Sequence, residues 1–389
     1  MVVKPQKLKV GFDISQTGKN KAGCGYFSHS LLSAAQKHSS ALDWHLFPHF
    51  GDFYFDGLMP VTNTYKQGSY GPHLKSIDLA KNFWNHPKLE LKISDVDIVH
   101  SNNFWCPTLL KNTKLIYTLY DLGFIKNHHW TTEENRMGCF DGVFKAAAFA
   151  DGLVSISKYS KNHFLEIFPQ YPEDRIEVIY PCSRFEGIDL SKEIPNRLKA
   201  LKDHAFWLSV GTIEPRKNQK FLLHVYADYL SKTKSPYPLV FAGQKGWLMD
   251  DFELQIQELG LDKHVLLLGY VSDDELGWLY QHCFANLYPS LFEGFGLPVL
   301  EGIQLGAPTI ASNESSMPEI LQDGVLLSPY DKNIWVDAML KLQIDSQWRN
   351  NLIEKGYLAG QKFSWEKSAQ KLESFYHKIN SMPDLNLKA

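Results

Sequence analysis

Two α/β domains in succession, each a parallel sheet covered on both faces by helices, are what this 389-residue sequence predicts. Three observations carry that expectation. Short apolar runs alternate with helix-period stretches along the whole chain, as strands buried under crossover helices do. The rhythm breaks once, at a polar stretch over residues 183–204, and then restarts. The length suits two domains of ordinary size.

In the first half the strand candidates are Leu8–Ile14, Trp44–Phe47, Ile98–His100, Leu115–Leu119, Leu153–Ile156 and Ile176–Ile179. Tyr26–Gln36 and Thr132–Phe149 carry helical patterns between them. In the second half the strands are Phe206–Val210, Leu239–Ala242, Val265–Leu268, Ala285–Tyr288, Thr309–Ala311 and Gly324–Leu327. The expected domains are residues 1–190 and 191–364, both doubly wound and Rossmann-like, followed by a terminal helix over 365–389. Two such domains in a row make a crevice between them the default ligand site. Residues 44–84 hold ten aromatics, among them Phe50, Phe53, Tyr54, Phe55, Tyr65, Tyr70 and Trp84. Core packing and a platform for sugars or lipid both fit that cluster.

Composition narrows the class. With 44% apolar and 21% charged residues, disorder, collagen and coiled coil are excluded. Forty Lys and Arg against 43 Asp and Glu give a charge of −3, with no footprint for nucleic acid. Five cysteines without a CxxC pair point to a reducing compartment and away from a disulfide framework. Residues 1–15 run from a short basic tail into a strand pattern, unlike a signal peptide. No window approaches 18 apolar residues. The expected location is the cytoplasm, with peripheral contact at the inner face of the plasma membrane left open.

The chemistry concentrates after the strand Ala285–Tyr288. A Gly-punctuated loop leads to Pro298, which suits a first helical turn. Backbone N–H groups of Phe295, Gly296 and Leu297 at such a helix start suit phosphate or a sugar. Glu293 and Glu301, eight residues apart, can each accept hydroxyl pairs. Arg216 and Lys217 follow the turn at Gly211 and Thr212. An Arg there can fork onto phosphate oxygens, and a Lys can meet them as a point charge. Gly23 and Gly25 lie between the first strand and its helix, where backbone can approach a phosphate. They make up part of a dinucleotide fingerprint, but Ser28 replaces its last glycine and the expected acid is missing. Asp95-Val-Asp97 reads as a polar turn, and His100 as a structural or a site histidine. Fifteen histidines show no zinc spacing, and P-loop and hydrolase-elbow motifs are absent.

The element Glu293-Gly-Phe-Gly-Leu-Pro-Val-Leu-Glu301 resembles the signature of the retaining GT-B glycosyltransferases of family 4. The resemblance covers most of the chain: Ser209–Asn218, Phe241–Gly243, Leu268–Asp273 and Ser315–Glu319, with Gly23–Phe27, Val154–Ser160, Arg175–Pro181 and Phe363–Glu366. It implies a nucleotide-sugar donor bound by the second domain and an acceptor by the first. The terminal helix would return to the first domain. Lys217 matches the family's phosphate-binding lysine. The family's arginine commonly follows the turn glycine, where Thr212 stands, so Arg216 would supply the second cation. Glu301 would hold ribose and Glu293 the transferred sugar. Gly243, Gln244, Tyr270 and Val271 would meet the nucleobase. Where many relatives carry His-Asp, this chain has Tyr120-Asp121. Asp121 is then the site candidate, with His128 or His129 as substitutes for the histidine.

The implied activity is retaining hexosyl transfer without a metal or cofactor. Mannose from GDP-mannose is favoured, with a UDP-sugar next. The acceptor would be a saccharide or lipid-linked saccharide in surface-polysaccharide assembly. Other readings stay open: a nucleotide-sugar hydrolase, an epimerase or a disaccharide phosphorylase on this fold, a non-catalytic saccharide-binding protein, and an NAD-dependent dehydrogenase.

Overall fold

All strand pairings among the described residues are parallel and fall into two sheets. The computed structural model describes residues 7–18, 21, 23–48, 69–93, 95–102, 104–108, 110, 112–190 and 193–385. The first sheet holds β1 (Leu8–Asp13), β2 (Leu42–Phe47), β3 (Ser69–Tyr70), β4 (Ile98–Ser101), β5 (Lys114–Leu119), β6 (Gly152–Ser155) and β7 (Ile176–Val178), in the order β3-β2-β1-β4-β5-β6-β7. The second holds β8 (Trp207–Val210), β9 (Leu239–Ala242), β10 (Val265–Gly269), β11 (Ala285–Tyr288), β12 (Thr309–Ser312) and β13 (Val325–Leu327), in the order β10-β9-β8-β11-β12-β13. Each sheet winds outward in both directions from its first strand. The order switches between β1 and β4, and between β8 and β11. Ligands bind sheets of this kind beyond the carboxyl ends of the strands at that switch.

β4, β6, β8, β9, β11 and β12 are buried along their whole length, which is why they read as short, mainly apolar runs rather than as a regular apolar–polar alternation. Two-residue β3 carries no such run and was not predicted. The aromatic positions Phe50, Phe53, Tyr54, Phe55 and Tyr65 lie outside the described residues. Trp84 is fully buried beside Phe47, with ring centroids 5.5 Å apart.

The described residues of Met1–Ile125, Glu133–Pro181 and Ser364–Ala389 form one unit. Lys126–Thr132 and Cys182–Phe363 form the other. The chain leaves the first unit after Pro181, ahead of the expected limit at 190. The reason is packing: Phe185, Leu198 and Leu201 join Phe206, Leu208 and Trp278 in a core of the second unit. These few apolar side chains are hidden in a polar stretch. The assignment of Lys126–Thr132 to the second unit also departs from the expected first domain.

Helix Trp365–Ser381 packs within the first unit by burying Leu372, Phe375, Tyr376 and Ile379. Gly152 at the start of β6 admits it; a Cβ there would lie 2.8 Å from Ile379 Cγ1 and 2.9 Å from a Phe375 ring carbon. The glycine pair is not a loop before the first helix, as expected, but the opening turn of helix Gly23–His38. A side chain at Gly25 would collide with the backbone carbonyl of Gln16, so glycine lets this turn seat against the segment after β1.

Candidate active site

The second unit's switch point is built by the loops after β8 and β11. Beyond Val210, Gly211 takes a φ of +138°, and the 3-10 turn Pro215–Lys217 ends at Asn218 in the left-handed region (φ 60°). Asn218 Nδ2 donates to the carbonyls of Pro289 (3.2 Å) and Pro329 (3.0 Å), joining the loops after β8, β11 and β13. Leu291 N and Ser290 Oγ both donate to the Arg216 carbonyl, at 2.8 and 3.1 Å. Arg216 and Lys217 therefore sit on a rigid turn, not on the dipole of the following helix.

These bonds bring Glu293 between the two cations. Its carboxylate, on a residue only 6% exposed, accepts from Lys217 Nζ on Oε1 (2.7 Å) and from Arg216 on Oε2 (2.8 Å). Tyr288 OH and Ser290 Oγ add bonds to Oε1 at 2.9 and 2.6 Å. Arg216 reaches a second buried carboxylate, Glu214, at 2.7 Å. Lys217 also lies over the Tyr288 ring and donates to its hydroxyl. Burial works to raise the Glu293 carboxyl, but Arg216, Lys217 and the hydrogen bonds from Lys217 and Ser290 outweigh it and hold it at about 2. Burial and the neighbouring Glu293 push the Tyr288 phenol well up, so it stays a neutral donor.

Downstream, Ser316 Oγ lies within hydrogen-bond reach of the carbonyls of Glu293 (3.0 Å) and Phe295 (2.6 Å). Gly296, with φ 109°, opens helix Leu297–Gln304. As at every helix start, the first N–H groups have no partner in the helix's own ladder. The Phe295 ring is buried against Phe363, so only its backbone can face a ligand. Glu301 is buried in this helix, and Arg184 Nε donates to it at 2.8 Å. Gly243 lies at the end of β9. A Cβ on it would strike the Gly211 carbonyl, so the loops after β8 and β9 touch backbone to backbone. Thr212 accepts from Gln219 through its carbonyl at 2.9 Å. Gln244 and Tyr270 are exposed, and Val271 is half-buried.

Gly23, Gly25 and Asp121 belong to the first unit. Asp121 Oδ1 accepts the Gly123 N–H at 2.9 Å, a local turn at the carboxyl end of β5. Tyr120, which stands where many relatives carry the histidine, is a packed structural residue. Its hydroxyl donates to the Asn102 carbonyl (2.7 Å), is 2.9 Å from Ser28 Oγ, and its own carbonyl accepts from Ser160. His100 is likewise structural: fully buried, it bonds Tyr376 OH at 2.6 Å and Thr118 Oγ1 at 2.9 Å. Asp97 accepts the Lys9 N–H at 2.8 Å, as a polar turn would. The turn His128–Trp130 packs against Pro215–Lys217 in the second unit. Trp130 holds it there, with its ring 5.7 Å from Phe292 and its carbonyl bonded by Trp247 Nε1 at 2.8 Å. His128 and His129 are exposed, with ring centroids 3.8 Å apart.

Glu214, Tyr288, Ser290 and Arg184 escaped the sequence reading. Tyr288 and Ser290 flank the Gly-punctuated loop in sequence, so their proximity was a usable signal. Glu214, two residues before Arg216, offered the same signal, whereas Arg184, 117 residues from Glu301, gave none. Among the described residues, no group of three His, Cys, Asp or Glu side chains could hold a metal ion, and no helix is long and apolar enough to cross a membrane.

Two doubly wound units, the second with cations and a carboxylate locked together beside a Gly-rich helix start, define the fold of a GT-B glycosyltransferase. Residues 191–359 match the family model Glycosyl transferases group 1, and residues 48–184 match Glycosyltransferase Family 4. O-antigen chain mannosyltransferase B of Escherichia coli is 31% identical over 274 residues, covering 69% of this chain and 71% of that protein. Alpha-1,3/1,6-mannosyltransferase ALG2 of Dictyostelium discoideum is 27% identical, covering 70% and 68%. The structure of HepE from Anabaena in complex with UDP and glucose superposes with a TM-score of 0.71 at 18% identity, covering 95% of this chain and 100% of that one; this likeness concerns the fold. The chain belongs to glycosyltransferase family 4 and is a glycosyltransferase.

Proposed function

We propose that the protein transfers mannose from a nucleotide-diphosphate donor, GDP-mannose ahead of a UDP-hexose, to a saccharide or lipid-linked saccharide in surface-polysaccharide assembly. The reaction retains the anomeric configuration and needs no metal. The observation that carries this reading is Glu293 clamped between Arg216 and Lys217 at the switch point of the second unit. Preorganised cations are worth most where negative charge develops, here on the diphosphate oxygen leaving the sugar. Amides of Phe295, Gly296 and Leu297 meet the same donor, Glu301 its ribose, and Gly243, Gln244, Tyr270 and Val271 its base. For Gly23, Gly25 and Asp121, which belong to the first unit, contact with a sugar or an acceptor is likewise part of the proposal. The mannose assignment rests on the printed activities of the relatives, O-antigen chain mannosyltransferase B foremost.

In the transfer, the acceptor hydroxyl oxygen bonds to the sugar's anomeric carbon as the bond from that carbon to the diphosphate breaks. The hydroxyl proton passes to the departing diphosphate oxygen. Lys217 and Arg216 stabilise that oxygen as it takes on charge, and Glu293 fixes both cations. The test is thermal stabilisation by GDP, UDP, ADP, their sugar conjugates and NAD, followed by transfer from the preferred donor to a mannosyl acceptor. GDP and GDP-mannose should raise the melting temperature by mass action. A shift with NAD alone, or donor binding without transfer to any saccharide, overturns the reading.

A further inference from the structure

Glu301 presents a physical problem that its neighbours solve. At 1% exposure its carboxylate has lost its water, and burial is the largest influence on it, raising its pKa above the usual value. The helix that carries it, Leu297–Gln304, has no other charged residue. Helix Ser346–Gly360 packs on the Ile303 side, where Gly356 meets Ile303. The charged and titratable groups acting on Glu301 come from elsewhere: Asp273 and Tyr280 on helix Asp273–His282, and Arg184 on the segment that enters the second unit. Asp273 repels it. Tyr280 OH approaches Oε2 only to 3.4 Å. Arg184 supplies positive charge, through Nε at 2.8 Å on Oε1, and its own backbone N–H also favours the ionised form. The guanidinium is anchored at its other end by Asp273 Oδ1 at 3.1 Å, so it is aimed at Glu301 from a fixed direction.

We propose that Arg184 is a positioning residue of the donor site: its guanidinium, anchored by Asp273, holds the Glu301 carboxylate in place so that it accepts the hydroxyls of the donor's ribose. This rests on the reading of the second unit as the nucleotide-sugar site. An ionised carboxylate offers about four acceptor positions, and Arg184 and Tyr280 leave capacity for a ribose hydroxyl. Arg184 does not act as a gate that the nucleotide displaces. Pulling it away would leave a buried carboxylate without its cation, which costs more than a neutral hydroxyl returns. The arrangement also couples the donor site to the segment just after Pro181, where the chain enters the second unit.

The test is the dissociation constant of the preferred nucleoside diphosphate, measured calorimetrically from pH 6 to 8.5 on wild type, Arg184→Ala, Arg184→Lys and Arg184→Ala/Glu301→Gln. Each variant is compared with wild type at the same pH, so that the diphosphate's own titration cancels. Arg184→Ala should bind 10-fold or more weaker at pH 6 and recover as the pH rises and Glu301 ionises without help. Arg184→Lys, which keeps the charge and protects the fold, should fall between the two. The double variant should be weak and flat with pH. Wild type that binds no nucleoside diphosphate overturns the donor-site reading and the proposal with it. Wild type that binds, with Arg184→Ala and Arg184→Lys equal to it or tighter at pH 6, overturns the proposal alone. So does weakening without any pH dependence, the mark of a merely structural role.

Discussion

Lys217 and Glu293, 76 residues apart in sequence, form a buried ion pair with Nζ 2.7 Å from Oε1. Arg216 holds the other oxygen of the same carboxylate, so one anion orients two adjacent cations. Orientation fixed before the donor arrives is what allows charge to be stabilised without reorganisation in the transition state. The offsetting cost is that the cluster's charge is already balanced: Arg216 and Lys217 face Glu293 and Glu214.

Lys217→Ala removes the cation nearest Tyr288 and leaves Glu293 with Arg216. Steady-state transfer should show a loss on the order of 10²–10³ in kcat, the size seen when one charge-stabilising donor is removed. The melting temperature should change far less than activity. Near-normal turnover would remove Lys217 from the chemistry.

Glu293→Gln keeps the side chain's size but frees positive charge in the cluster. Calorimetry should find nucleoside diphosphate bound more tightly, because the two cations no longer share their field with a carboxylate. Turnover should fall by about 10-fold or more, because Lys217 and Arg216 lose the group that aims them. Unchanged nucleotide affinity would show that Glu293 does not offset the cations.

Much of this was legible in the sequence, and the failures have causes. Strands beside the switch points, expected at Ile98–His100 and Ala285–Tyr288, were found because burial on both faces leaves mainly apolar residues such as Ile98, Val99 and Leu287. Arg216 and Lys217 drew attention by following the turn at Gly211, and Glu293 and Glu301 by lying in the Gly-punctuated loop and its helix. What sequence could not supply was partnership. Glu293 was expected to touch a sugar and the cations a phosphate, yet the three share one hydrogen-bonded cluster. Nothing in the first half announced that Trp130 would dock beside Phe292, because ring packing at long sequence separation leaves no local pattern.

Tyr120→Phe tests the structural role given to the residue that stands for the family's histidine. The hydroxyl binds the Asn102 carbonyl and Ser28 inside the first unit, and its loss strands those partners without water. The destabilisation should be about 1–3 kcal/mol by chemical denaturation. Transfer should be retained under conditions where the variant is folded. Full stability with lost turnover would return Tyr120 to the chemistry.

With Arg216 and Lys217 carrying the charge stabilisation, chelation should be without effect. Initial rates in excess EDTA should match those in added Mg²⁺ or Mn²⁺ to within about twofold, a difference of roughly 0.4 kcal/mol in the barrier. A rate that collapses in EDTA and returns with a divalent ion would mean that the two side chains are not sufficient.

The acid limb of stability should carry the mark of Glu293. Its carboxyl sits at about 2 in the folded protein against an ordinary 4.5, so the unfolded chain binds its proton more readily. The stabilisation this supplies is fully present above about pH 4.5 and is lost as the pH falls toward 2. Glu301 acts with the opposite sign: its raised pKa means that stability is lost as it ionises with rising pH. Comparing wild type with Glu293→Gln isolates the first effect, because a protonated glutamate is close in shape and charge to glutamine. Denaturation midpoints at constant ionic strength should be furthest apart near pH 7, with wild type the more stable. They should converge as the pH falls through 4.5 toward 2, because there the wild-type carboxyl takes up the proton that cancels its pairing with Lys217 and Arg216. A gap that stays constant from pH 7 to 3 would mean that the pair contributes packing rather than charge, and the preorganisation drawn from it would fail.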